Sequence, residues 1–181
     1  MATNDVRVVG GAASGNVFSW EVDDRTASTI NATIKPGEPV EAGGTGLNIA
    51  ILLINGQPTV TGDPTRMIGI AHNESTETGT VNGEVNVEHI VPMLTVLEAR
   101  MTTVGNVDTL AEWRLIQGDA VSFDAIAAIT GDTGTTPYTV DEDEGDDPND
   151  QGLVLVDWDP NRATRLAFVV KPLVTLFGNN L

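Results

Sequence analysis

Gly62-Asp63-Pro64-Thr65-Arg66-Met67-Ile68-Gly69-Ile70-Ala71 leads into His72-Asn73-Glu74-Ser75-Thr76-Glu77, and then into Val81-Asn82-Gly83-Glu84-Val85-Asn86-Val87. The first part is a turn signal followed by a strand over Met67, Ile68 and Ile70. The last part reads as a hairpin turn opening a strand in which Val85 and Val87 alternate with polar neighbours. Short β-branched runs bounded by Gly, Pro, Asn and Asp are the punctuation of an all-β chain.

The same punctuation extends both ways. Ile30, Ala32 and Ile34 alternate with Thr29, Asn31 and Thr33 until Lys35-Pro36-Gly37-Glu38-Pro39 stops them, a period of two that suits a half-buried strand. Ile49 to Ile54 is continuously apolar and reads as a strand covered on both faces, with Asn55-Gly56 as a hairpin signal behind it. Further strands fall at Val6 to Val9, Asn16 to Val22, Met93 to Ala99, Val121 to Phe123, Leu153 to Val156 and Leu166 to Val170. About ten short strands favour a compact β-barrel or sandwich over an open sheet. One short helix is expected. Thr109-Leu110-Ala111-Glu112 fits a capping box, Leu110, Trp113 and Leu115 or Ile116 would face a core, and Gly118 would end it. Ala125 to Ile129 fits strand and helix equally. No internal repeat at a fixed period is visible. The expected organisation is an N-terminal arm with short strands over residues 1–22, then a single β domain over 23–181 with an acidic loop at 141–152.

Charge narrows the function. Among 181 residues, 26 are acidic and 9 basic, a net charge of -17. That opposes nucleic-acid binding, where each phosphate contact normally needs Lys or Arg, and docking on an anionic membrane. Lys35 and Lys171 are the only lysines. Such a surface repels itself at ordinary ionic strength, and near 1 M salt the Debye length falls to about 3 Å and the repulsion fades. This points to a protein of concentrated brine. Cysteine is absent, which excludes disulfides, thiolate metal sites and Cys nucleophiles. Met1 to Gly15 lacks the apolar stretch of a signal peptide. Leu47 to Ile54 is far shorter than the roughly 20 residues of a spanning helix.

Chemistry is sparse. Gly44-Thr45-Gly46 lacks the rest of a dinucleotide fingerprint, and Gly11-Ala12-Ala13-Ser14-Gly15 has the wrong spacing for a nucleophile elbow. The two histidines, His72 and His89, have no metal-ligand spacing. Asp141, Asp143, Asp146 and Asp147 are calcium candidates by ligand type. The run departs from an EF-hand, because Gly145 comes one place early and no Glu holds the twelfth position, so a solvated loop is the preferred reading. No catalytic residue is singled out and no cofactor is implied. Asn31-Ala32-Thr33 and Asn73-Glu74-Ser75 match the glycosylation pattern. Trp20, Trp113 and Trp158 read as core or interface anchors. A carbohydrate- or calcium-binding module would have exposed aromatics near the acidic run and a signal peptide; neither is evident, although Tyr138 and Trp158 flank the run, and a glycosidase using carboxylates such as Asp157 and Asp159 is disfavoured by an aromatic content of 4%.

Pro64 to Ala71, Glu74 to Thr78 and Asn82 to Val87, framed by Pro36-Gly37-Glu38-Pro39-Val40 and Gly152-Leu153-Val154-Leu155-Val156-Asp157-Trp158-Asp159, resemble the small head decoration (cement) proteins of tailed viruses. The resemblance covers about residues 36–170; the acidic run and the N-terminal arm depart from the group. It implies a structural virion protein on the outer surface of the capsid, a homotrimer whose partner is the major capsid protein, with no catalysis, nucleic-acid or membrane partner. The acidity would suit a virus of a halophilic archaeon. A tail or baseplate β-barrel is the alternative within a virion. If the surface is tuned to brine, the melting temperature rises steadily from dilute buffer to multimolar salt. Equal melting in both would rule that out.

Overall fold

The computed structural model describes residues 6–11, 17–22, 33–43, 49–52, 58, 66–76, 83–103, 105–125, 138–142, 151–162 and 164–172. The protein is all-β. In chain order the strands are β1 (Arg7–Gly10), β2 (Val17–Val22), β3 (Thr33–Ile34), β4 (Pro39–Gly43), β5 (Ile49–Leu52), β6 (Met67–Ala71), β7 (Ser75–Thr76), β8 (Gly83–His89) and β9 (Val96–Met101). Helix α1 (Leu110–Ile116) follows, then β10 (Ala120–Ala125), β11 (Tyr138–Asp141), β12 (Leu153–Asp157) and β13 (Arg165–Val170).

These strands form two rings. The first is a closed barrel in the order β2-β5-β4-β6-β8. In the second, β9 pairs with β11, β11 with β10, β10 with β12, β12 with β13, and β13 returns to β9. The rings share one plan. Numbering the strands of each ring in chain order, both read first-third-second-fourth-fifth. In both the first and third strands run parallel and the other pairs antiparallel.

The equivalence reaches single hydrogen bonds. Gly37 N–H donates to Ala71 O (2.8 Å) and Ala71 N–H returns to Glu38 O (2.9 Å). In the second ring Gly118 N–H donates to Leu155 O (3.0 Å) and Leu155 N–H to Asp119 O (3.0 Å). Both glycines have a left-handed φ, 88° and 91°. Each sits in a tight turn closed by its following residue, Glu38 N–H to Lys35 O and Asp119 N–H to Ile116 O. A type II turn needs a positive φ at its third position, which Gly adopts without strain. The chain is therefore a structural tandem of one five-strand barrel. The absence of a fixed-period repeat in the sequence is compatible with this tandem. The spacing between equivalents drifts from Gly37/Gly118 to Ala71/Leu155, so a fixed period does not register it.

Each ring has its own core. Val22, Ile34, Val40, Ala42, Ile68, Ala71, Val85 and Val87 fill the first. Leu97, Ala99, Phe123, Tyr138, Leu155 and Phe168 are among those filling the second, where Phe123 meets Tyr138 and Phe168 edge-on at 5.8 and 5.5 Å. Strand β6 is buried along its whole length. Its Met67 and Ile70 join the second core while Ile68 and Ala71 join the first. This split follows a register slip against β4 at Val40/Glu41, where an extra residue breaks the strand's alternation and sends Ile68 and Ile70, two apart, into different cores.

Within residues 1–22 both strands are paired. β1 lies antiparallel on β9 of the second ring, and β2 is the first strand of the first ring. The capping box forms as expected: Thr109 Oγ1 accepts from Glu112 N–H, and Glu112 Oε2 accepts from Thr109 N–H, a cap worth about 1 kcal/mol. Trp113 is buried and Ile116 packs on the same core, but Leu110 and Leu115 are exposed. A two-turn helix lying on a barrel reaches it with one narrow stripe only. The strand expected over Met93 to Ala99 begins at Val96 instead. Met93 has a left-handed φ of 58° and turns the chain before it. β5 pairs with β4 before it and with β2, and the hairpin signal Asn55-Gly56 lies outside the described residues.

Gly69 decides whether the first barrel closes. A Cβ placed there would stand 2.0 Å from Glu88 O, well inside any real contact. Gly69→Ala is expected to force β6 and β8 apart and cost roughly 3 kcal/mol or more, since it combines overpacking with lost ladder bonds. Chemical denaturation would measure this, and a loss below about 1 kcal/mol would contradict the packing described.

Candidate functional site

The second ring carries a four-strand antiparallel face, β1-β9-β13-β12. Alternation sends Leu97, Ala99, Leu166 and Phe168 into the core and leaves Val96, Glu98, Arg165 and Ala167 on the other side. Two register slips frame this face, at Val9 in β1 and at Val156 in β12. Such slips bend a strand and re-aim its side chains. The second places Asp157 opposite Ala167. The result is a cleft of about 250 Å³, lined by Val9, Gly10, Val96, Glu98, Arg165 and Ala167 with Asp157, Trp158, Asp159 and Arg162 at its side.

Glu98 is the centre of this cleft. Its side chain is 5% exposed and meets three guanidiniums: Arg7 at 2.7 Å, Arg162 at 2.6 Å, and Arg165 in close contact. A carboxylate this buried costs several kcal/mol if left alone, so the arginines are what allow it there. Burial draws the Arg165 guanidinium down from its usual pKa, and the Glu98 charge opposes that. Asp159 accepts from the backbone N–H and the side chain of Asn161 and from Arg162. Those bonds, led by the backbone one, hold it below the usual carboxylate range. Asp157 accepts from Trp158 N–H. Asp157 and Asp159 therefore do share a cleft, but Asp159 is held ionised, which suits a proton donor poorly. The indole Nε1–H of Trp158 is buried without a hydrogen-bond partner among the described residues.

Asp141 ends β11, and Asp143, Asp146 and Asp147 lie outside the described residues. Among the described residues no three metal-type side chains cluster. The loop expected at 141–152 starts later than its charge suggests. Glu142 is buried and accepts from Thr102 N–H (3.2 Å), Thr103 N–H (3.1 Å) and Asn106 Nδ2 (3.1 Å). It thus ties the turn after β9 to β11. Tyr138 and Trp158 are buried, so neither offers the open ring face a sugar stacks on. Asn73 donates to Glu74 O and Glu84 O and accepts from Asn86 N–H, which occupies the amide of that glycosylation pattern. The Asn31 pattern lies outside the described residues apart from Thr33, as do Gly44-Thr45-Gly46 and Ala12 to Gly15.

A second feature lies where the barrels join. The link from β8 to β9 exposes Met93 and Leu94, with Val9 from β1 and Val17 and Phe18 from β2 also exposed. Phe18 stacks on His89 at 4.5 Å, and Trp20 Nε1–H donates to His89 Nε2 at 2.7 Å. His89 accepts this bond only when its Nε2 is unprotonated. His72 is separate and pairs with Glu88 at 2.7 Å.

Compared with known proteins, the chain matches no family model, no curated protein and no solved structure. Sequence reasoning named Asp157, Asp159 and Trp158 but passed over Glu98 and its arginines. Arg7 and the neighbouring Arg162 and Arg165 lie far from Glu98 in the chain and form no motif with it. The one available signal was scarcity: three of nine basic residues converge here.

Burial holds His89 below its ordinary 6.5. The unfolded chain then takes up a proton that the folded one refuses. The stability is fully present above pH 6.5 and is lost as pH falls through the lower, folded value. Melting followed from pH 7.5 to 5 should fall more steeply for the native protein than for His89→Gln. Parallel curves would show that His89 does not couple to folding.

Proposed function

We propose that the protein is a structural component of a virion. It binds the outside of the capsid lattice as a homotrimer and braces the head by bridging major capsid subunits, in a halophilic setting. The observation that carries this reading is the set of apolar side chains left exposed on a strongly acidic chain, among them Phe18 in β2 and Met93 and Leu94 in the link between the barrels. A contact site needs such side chains to form one contiguous surface, which the reading takes Phe18, Met93 and Leu94 to do. The motif resemblance over residues 36–170 supplies the class of partner.

The physical logic is adhesion by number. A shell repeats the same surface many times, and many modest contacts hold where one would not. Met93 keeps a left-handed backbone without being glycine, a strain of about 1–3 kcal/mol, and the arrangement holds its side chain outward. An apolar anchor flanked by carboxylates also suits brine, where screening removes long-range repulsion from an acidic shell and leaves contact burial intact.

Mixing the protein with empty capsids in high salt should give a fixed copy number per shell subunit. Phe18→Asp together with Leu94→Asp should lower occupancy at least tenfold while circular dichroism stays native. Unchanged occupancy would count against the apolar end as the contact. Failure of the native protein to bind shells would count against the reading as a whole. Assembly into rings or tubes instead would mark a tail or baseplate protein.

A further inference from the structure

Both histidines of the chain make their contacts at β8, one on each of its faces. Alternation puts Val85, Val87 and His89 on the barrel side, with Trp20 opposite Val85 and Phe18 opposite Val87. Glu84 and Glu88 point the other way, where Glu84 meets Ser19 and Glu88 meets His72 at 2.7 Å. The two histidines have opposite kinds of partner. A carboxylate only accepts, so the His72 contact persists when the imidazole takes up a proton. An indole N–H only donates. Trp20 Nε1–H reaches His89 Nε2 at 2.7 Å, and a proton on that nitrogen leaves two donors facing each other. The contact must then break.

What this contact holds is the first half of β2. Phe18 lies on the His89 ring at 4.5 Å with the planes 33° apart, and is 54% exposed. Trp20 lies 5.6 Å from the same ring and packs on the first core. Gly69, opposite His89 on β6, brings no side chain. The other neighbouring segments bring no titratable one: β6 is Met67–Ala71, β5 is Ile49–Leu52, and the chain after His89 runs Ile90-Val91-Pro92-Met93-Leu94-Thr95. Glu21 of β2 pairs with Glu84 on the other face. Burial of the imidazole disfavours its charged form as well. An imidazolium is still attracted to the face of an aromatic ring, so Phe18 and the indole face suit it where the indole edge does not.

We propose that Trp20 and His89 form a pH-operated latch. Protonation of His89 turns the indole N–H away and moves Phe18 with it, so that the exposed aromatic end of β2 has one arrangement at neutral pH and another in acid, within the folded protein. A partner that binds through Phe18 is then held in a pH-dependent way. The proposal does not rest on the virion reading. It stands on the donor and acceptor geometry of β2 and β8.

The test follows the indole N–H and imidazole resonances of nitrogen-15-labelled protein from pH 7.5 to 5 at constant salt. Trp20 is assigned by Trp20→Phe, and Trp113 and Trp158 serve as controls. The Trp20 indole and the Phe18 ring should shift with the midpoint of the His89 ring, while the control indoles stay in place. In Trp20→Phe the His89 midpoint should rise by about half a unit or more, since a donor that requires the neutral ring is gone, and His72 should titrate as before. A Trp20 indole that stays in place over this range, or while His89 protonates, overturns the latch. So does a common shift of all three indoles, which would make His89 a trigger of unfolding instead of a local switch. The native titration decides this even if the variant does not fold.

Discussion

A ring of five strands cannot have every neighbour antiparallel, because direction must reverse at each step and return unchanged. One pair has to run parallel. In both barrels that pair is the first strand against the third. A parallel neighbour cannot be reached by a tight hairpin. The chain must therefore travel between the first and second strands, and those intervals hold β3 in one barrel and α1 in the other. The conserved glycine turns, Gly37 and Gly118, then deliver the chain to the second strand at a fixed height against the fourth. Closure, crossover and turn are consequences of one odd number.

Buried acids do different work at different places. Glu142 is held by backbone N–H groups and a side-chain amide, which makes it a joint between β9 and β11. Glu98 is held by guanidiniums from β1, β13 and the turn after β12. Amide donors bring dipoles only, whereas arginines bring a compensating charge and more donors than one carboxylate uses. The first arrangement closes a turn. The second leaves polar groups facing a cleft.

The strand content was legible because Val and Ile runs alternate with Gly, Pro and Asn, and that pattern reports local chain geometry. Thr109 to Glu112 announced the helix for the same reason, since a cap is a contact within one turn. β4 and β11 were passed over. Pro39 opens β4, and Tyr138 to Asp141 runs into the acidic stretch, so charge and proline masked two strands whose neighbours bury them. The rings were not legible, because closure is a relation between strands many residues apart. Glu98 was invisible for that reason too. It is an acid in a strand until three distant arginines are placed around it.

β1 precedes the whole first barrel yet belongs beside β9, and Arg7 finds Glu98 across 91 positions of chain. Translation runs in one direction, so the edge that β1 covers does not exist while the first barrel is being made. On the ribosome β1 is an unpaired strand waiting for its neighbour, and only synthesis through the second barrel retires it. The final docking of β1 fastens a segment made before the first barrel to one made after it, so that the two barrels are tied together only once both have been made.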